Sequence, residues 1–256
     1  MNSTSSIENN YQSLIAENIH TVQEQINRAC ACSNRNPASV TLMAVSKTKP
    51  GEMILTAKSA GIQVFGENYV QELCEKINSL PADITWHMIG HLQRNKVKYI
   101  VGKTALIHSV DSFRLAEQIE KEAAKAGIVQ DILLEINVAE EENKWGFSIG
   151  EAESAVRQIA PLSHLHIRGL MTSAPYTENP EENRIYFRSL RKCFEEIQTL
   201  SIPNVSMDIL SMGMTGDYQV AVEEGATLVR VGTGIFGVRN YNESVVNGHA
   251  DMSLYH

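Results

Sequence analysis

The stretch Val40-Thr41-Leu42-Met43-Ala44-Val45-Ser46-Lys47-Thr48-Lys49-Pro50 decides how the rest of the chain is read. A mostly apolar run of strand length, Val40 to Val45, ends abruptly on Ser46 and Lys47. A helical stretch over 52–60 follows, and Gly61 stops it before the next apolar run. Short continuous apolar runs are the mark of strands covered on both faces, as in parallel sheets. The same strand–helix unit then repeats. Strands are expected over 40–46, 62–66, 84–90, 105–110, 131–138, 164–171, 205–211 and 226–232. Helices are expected between them, over 52–60, 69–78, 93–101, 112–126, 150–160, 181–200 and 218–223. Such alternation predicts an α/β fold with a parallel sheet. Eight units in about 220 residues suit a (β/α)8 TIM-type barrel, whose usual size is roughly 250 residues. An open doubly wound sheet is the alternative.

Outside the repeat, residues 7–31 read as an additional N-terminal amphipathic helix, with Leu14, Ile15, Ile19, Val22 and Ile26 near helical spacing. Gly61, Gly102, Gly127 and Gly225 stand where helices should stop, as left-handed caps do. The sequence therefore reads as a single domain over 1–256: a helix at 7–31, a barrel over 40–237 and a polar tail over 238–256. The chain has 256 residues, 43% hydrophobic and 20% charged, with a net charge of -8. That acidic balance carries no footprint for nucleic acid. Neither a secretory leader nor a membrane-spanning run is legible, so the expected location is cytoplasmic. The cysteines, Cys30, Cys32, Cys74 and Cys193, form neither a disulfide framework nor a zinc spacing and read as inert thiols.

In a barrel the chemistry gathers at the C-terminal ends of the strands. Lys47, Asn68, His91, Asp111, Lys144, Thr172, Ser211 and Gly232 all fall at or just past expected strand ends. Lys47 at a closed barrel mouth would be partly desolvated, which lowers an amine's pKa toward the nucleophilic form that attacks an aldehyde. A solvated lysine at a strand end is the plainer reading, and Lys49 is the rival amine. Gly232-Thr233-Gly234-Ile235-Phe236-Gly237 has the spelling of a dinucleotide fingerprint but lacks the βαβ unit that should follow. A phosphate cradle asks for less, and barrels place one after strands 7 and 8. The loop Ser211-Met212-Gly213-Met214-Thr215-Gly216 is similarly rich in glycine and hydroxyls, and a pair of tight turns is the competing reading. Arg230, inside an apolar strand, needs a partner or a ligand atom because an isolated buried charge is very unfavourable.

Other signals are weaker. His87 and His91 are four apart but lack a metalloprotease glutamate. His164 and His166 bracket a strand as satisfied polar residues. Asp111 is placed to cap the helix after it. Glu140 to Glu142 reads as a solvated loop.

Six ordered stretches carry a resemblance: AVSKTKP (44–50), FGENYVQE (65–72), WHMIGHLQRNK (86–96), RGLMT (168–172), LSMGMTGD (210–217) and VRVGTGIFG (229–237). Together the sequence resembles the pyridoxal phosphate homeostasis proteins, the YggS or PROSC family, related to the N-terminal barrel of alanine racemases (fold type III). The resemblance implies that Lys47 forms a Schiff base, a covalent aldimine, with pyridoxal 5'-phosphate. It implies Asn68 beside the ring, Arg230 facing the pyridine nitrogen, and Ser211, Met212, Gly232 and Thr233 around the phosphate. Lys144 matches a family lysine with a suggested secondary cofactor role.

A cationic Arg230 disfavours a proton on the ring nitrogen, so carbanion chemistry would be less assisted. Racemases of this fold still work with an arginine there, but the resemblance implies that they also use a second domain supplying a tyrosine base, which is not expected here. The expected function is reversible binding of pyridoxal 5'-phosphate in intracellular vitamin B6 homeostasis, without efficient catalysis. The expected partners are the cofactor and pyridoxal phosphate-dependent apoenzymes, with a monomeric chain. An amino-acid racemase is the enzyme rival. A sugar-phosphate barrel enzyme is the third reading.

Overall fold

The computed structural model describes residues 3–237. Eight strands close into one parallel barrel in sequence order: β1 (Thr41–Val45), β2 (Val64–Glu67), β3 (Thr85–Met88), β4 (Leu106–Val110), β5 (Gln130–Glu135), β6 (Leu165–Met171), β7 (Val205–Ser211) and β8 (Leu228–Val231). β1 pairs with both β2 and β8, which closes the ring and removes every sheet edge. The doubly wound alternative is thereby excluded.

The helices follow the expected order. The long α1 (Ser3–Cys32) precedes the barrel, and α2 (Gly51–Ser59), α3 (Val70–Ser79), α4 (Phe113–Ala126), α5 (Ala152–Ile159), α6 (Arg184–Thr199) and α7 (Tyr218–Glu223) separate the strands. A short α8 (Thr233–Phe236) follows β8. No helix among the described residues is long and apolar enough to cross a membrane. The tail expected over 238–256 lies outside the described residues.

Two layers of core result. Alternate strand residues such as Ala44, Phe65, Ile107, Leu134 and Leu170 face outward into the large core beneath the helices. A separate small cluster of Leu106, Leu133 and Met171, with Ile209 against it, packs within the barrel. Two positions further along their strands come His108, Glu135 and Ser211, so the barrel interior turns polar toward its C-terminal mouth.

Three expectations need correction. The helix expected over 93–101 is a short 3-10 segment, Arg94–Tyr99. Leu92 is drawn into the core first, leaving six residues that bury only Val97, too few for a packed α-helix. The strand expected to reach Val138 ends at Glu135, because Asn137 closes a loop, donating to Glu141 O at 2.9 Å. Asp111 is not the cap of α4. Ser112 is, its hydroxyl accepting from the Leu115 amide. The four expected glycine stops at 61, 102, 127 and 225 all have positive φ.

Candidate functional site

Seven strand ends deliver one residue each to a common rim. Ser211 ends β7, while Asn68, Asp111, Thr172 and Gly232 lie one residue past β2, β4, β6 and β8. Lys47 lies two past β1 and His91 three past β3. Register sets their neighbours. Val45 pairs with Gly66, so Lys47 and Asn68 follow at the same step beyond their pair. Ala44 pairs with Val231, which brings Gly232 against Val45. Lys47 is half-buried. Lys49, the rival amine, donates to the carbonyls of Phe236 and Gly237 at 3.4 Å.

The two glycine-rich loops meet. Gly232 N and Gly234 N both donate to Thr215 Oγ1 at 3.3 Å, tying the loop after β7 to the start of α8. Asp217 anchors the first loop, accepting from Met214 N at 2.7 Å and from Asn183 Nδ2 at 2.8 Å. Gly213 adopts φ +91, and an added Cβ would lie 2.6 Å from Ala221 Cβ, so only glycine turns the chain there. Met212 is fully buried and its N–H is spent on Leu228 O. Thr215 escaped sequence reasoning as a site residue. Its signal was a hydroxyl two positions after Gly213.

Below these loops Arg230 is 4% exposed. Its Nη1 donates to Ser211 Oγ at 2.7 Å and its Nη2 to Thr172 O at 2.8 Å. The Ser211 side chain therefore faces the arginine, and through it a histidine pair. His108 Nδ1 lies 3.0 Å from Ser211 Oγ, and His108 Nε2 lies 3.0 Å from His87 Nδ1. Burial pushes the Arg230 guanidinium down to about 10. It pushes His87 down to about 4, and His108 well below the ordinary imidazole range, where the neighbouring His87 and Arg230 charges add to burial. Both imidazoles are neutral at pH 7. His87 and His91 are four apart in the sequence, a spacing that carried no site reading. The barrel instead pairs His87 with His108, 21 residues on, because both side chains point inward from adjacent strands.

The opposite side of the rim is acidic and aromatic. His91 stacks on Trp145 at 4.1 Å between centroids and pairs with Asp111 at 3.0 Å. These residues help to line a cleft of about 640 Å³, with Arg94 and Arg114 also on its wall. Glu135 is pushed up to about 7 by burial and the nearby Asp111 charge, against the pull of Arg230. Lys144 sits on the loop after β5 and pairs with Glu141 at 2.5 Å. His164 pairs with Glu120, and His166 with Asp131. Asn68 Oδ1 is buried with no hydrogen-bond partner, which marks an acceptor reserved for something else. Gly90 packs closely on the Asn68 backbone, where an added Cβ would lie 2.4 Å from the Asn68 carbonyl oxygen.

Known proteins similar to this chain identify its family. The family profile described as alanine racemase, N-terminal domain, matches residues 15–240. The pyridoxal phosphate homeostasis protein of Aquifex aeolicus is 46% identical over 226 residues, covering 88% of this chain and 98% of that protein. Its counterpart in Haemophilus influenzae is 40% identical over 233 residues, 90% of this chain and 98% of that protein. The chain belongs to the pyridoxal phosphate homeostasis family.

Solved structures agree with the family. A protein of unknown function from Bifidobacterium adolescentis superposes with a TM-score of 0.85 at 35% identity, covering 88% of this chain and 96% of that one. PipY of Synechococcus elongatus, with pyridoxal phosphate bound, superposes with a TM-score of 0.75 at 36% identity, covering 87% of this chain and all of that one. Alanine racemase of Corynebacterium glutamicum shares the fold alone, at a TM-score of 0.69 and 13% identity, with 89% of this chain matched to 62% of that one.

Proposed function

We propose that this protein is a single-domain carrier of pyridoxal 5'-phosphate, with Lys47 as its covalent anchor, serving intracellular vitamin B6 balance rather than efficient catalysis. The reading is supported by one juxtaposition above all: a half-buried lysine two residues past β1, whose last residue Val45 meets Gly232, with a buried arginine on the adjoining strand. The residues present fit the cofactor. Asn68 offers an unpartnered buried acceptor, and two glycine amides converge on the Thr215 hydroxyl, where a phosphate would find donors. When bound, the cofactor supplies an aldehyde carbon that condenses with primary amines.

Within this reading Lys47 supplies the amine. Asn68 lies beside the ring. Gly232, Thr233 and Thr215 hold the phosphate, and the Ser211-Met212 turn, whose hydroxyl proton and Met212 N–H are already committed, shapes the loop rather than donating to it. Arg230 faces the ring nitrogen. A guanidinium there donates a hydrogen bond and repels a proton, so the ring stays a weak electron sink. Racemases of this fold work with an arginine there, so the arginine by itself does not separate storage from racemisation. The curated relatives are named for homeostasis, which favours storage and delivery. Pyridoxal phosphate-dependent apoenzymes are the proposed recipients, and a cytoplasmic monomer is the proposed state.

Borohydride reduction of the loaded protein followed by peptide mass spectrometry tests the anchor. One reduced adduct on Lys47, absent from Lys47→Ala, is the expected result. An adduct on another lysine, or none at saturating cofactor, overturns it. Chiral assays on the common amino acids should show negligible turnover. Rates within the ordinary enzyme range of about 1–1000 per second would restore the racemase reading.

A further inference from the structure

A buried charged cluster grips the residues on either side of Lys47. Lys76, on α3, is 8% exposed and Glu67, ending β2, is 0% exposed. Lys76 Nζ donates to Ser46 O at 2.8 Å, to Glu67 Oε1 at 2.7 Å and to Glu72 Oε1 at 2.6 Å. Three protons meet three acceptors, so the ammonium is saturated. Each carboxylate then takes a second bond. Glu67 Oε1 accepts from Ser46 Oγ at 2.6 Å, and Glu72 Oε1 accepts from Thr48 N at 2.6 Å. Ser46 is held by its carbonyl and its hydroxyl, and Thr48 by its amide. Lys47 lies between them.

The backbone shows why a grip is needed. Thr48 has φ +62, a left-handed conformation that a β-branched residue rarely adopts. Such residues persist only where surrounding bonds over-determine them, and they gather where a side chain must be aimed. The bonds here are short and charge-assisted, the kind strong enough to do so. Stability alone does not explain the cluster. A buried ion pair can often be replaced by apolar side chains without loss. Apolar side chains could not hold a carbonyl, a hydroxyl and an amide around one lysine. Both acids belong to the FGENYVQE stretch, and the proposed function leaves them unused.

We propose that Glu67, Glu72 and Lys76 form a clamp that fixes the Ser46-Lys47-Thr48 turn and so sets the direction in which the Lys47 amine leaves β1. They are positioning residues, acting through Lys47. The inference rests on the reading of Lys47 as the covalent anchor. Capture there forms a C=N bond from amine and aldehyde, breaks the C=O bond and releases one water, with no change of oxidation state.

The test separates aiming from phosphate binding. Glu72→Ala, Glu72→Gln and Lys76→Met are compared with wild type in two measurements. One is the rate of pyridoxal 5'-phosphate capture, quenched with borohydride and read as the Lys47 adduct. The other is affinity for pyridoxine 5'-phosphate, which has the phosphate but no aldehyde. Capture should slow about tenfold or more in Glu72→Ala and Lys76→Met, while analogue affinity stays near wild type. Glu72→Gln should recover most of the rate, since its amide oxygen still accepts from Thr48 N. Unchanged capture overturns the clamp. So does a parallel loss of analogue affinity, which would mean a merely structural role. If Lys76→Met does not fold, Glu72→Ala still decides, because its side chain is already 22% exposed. Wild-type protein that captures no aldehyde on Lys47 defeats the proposed function itself, whereas wild-type capture with unaffected variants defeats only the clamp.

Discussion

Arg230 is the residue whose surroundings say most about polarity inside the barrel. It donates to Ser211 Oγ, so the single Ser211 hydroxyl proton is left for His108 Nδ1. His108 then carries its proton on Nε2 and donates to His87 Nδ1. Each step fixes the next, and all three partners of the arginine's chain are neutral. Arg230→Ala removes the donor to the buried Thr172 carbonyl and one of the two hydrogen bonds at Ser211 Oγ. Cofactor retention should fall about tenfold by equilibrium dialysis, equal to about 1.4 kcal/mol, and the pH dependence of the cofactor band should change. An unaltered spectrum and affinity would remove Arg230 from the ring. Gly232→Val tests the phosphate loops. An added Cβ meets Val45 only at 3.4 Å, so the fold should survive. The branched side chain should still crowd the amides and weaken binding of the phosphate. Normal binding would mean that the cradle lies elsewhere.

Among the elements, α1 matters more than its place before the barrel suggests. It packs against α2, α7 and α8, and Asn18 Nδ2 donates to Ile235 O at 2.9 Å. Gln25 accepts a short hydrogen bond from the Tyr218 hydroxyl. The helix thus braces the two elements that follow the glycine-rich loops. Ile26 is fully buried on its inner face. Ile26→Ala should lower unfolding free energy by about 2–5 kcal/mol, read by denaturant titration. A loss under 1 kcal/mol would show that α1 docks loosely. The loop after β7 makes a sharper case. Gly213→Ala adds both a left-handed penalty and a clash with Ala221 and Tyr218, and about 2–3 kcal/mol of destabilisation is expected.

For the whole molecule, the buried histidines link stability to pH. His87 takes up a proton near pH 6.5 when unfolded but only near pH 4 when folded. Its folded pKa is lowered, so the stability it contributes is complete above pH 6.5 and is lost as pH falls toward 4. The loss from His87 alone comes to ~3 kcal/mol over that window. Glu135 acts in the opposite sense. Its folded pKa is raised to about 7, so its contribution is complete below about 4.5 and is lost as pH rises through 7. The difference between wild type and His87→Gln isolates the histidine. Denaturant titrations from pH 7 to pH 4 should show wild type losing more stability than the variant. Parallel curves would mean that His87 titrates normally in the folded protein.

The alternation of short apolar runs with amphipathic stretches was enough to predict an α/β fold of eight strand–helix units and to put Lys47, Asn68 and Gly232 at strand ends, but it left a doubly wound sheet open until β1 was seen to pair with β8. Periodicity is a local property: it gives the alternation and the count of eight, which suits a (β/α)8 ring, while closure is a long-range pairing of the first strand with the last. What the sequence also left open were relations between distant side chains. Nothing local says that His87 faces His108 rather than His91, that Asp111 turns to His91 and leaves the α4 cap to Ser112, or that Lys76 reaches back 30 residues to Ser46. Those choices depend on which face of each strand looks inward and on which buried donors must find acceptors. Only the closed barrel decides that, because only there is water excluded from all of them at once.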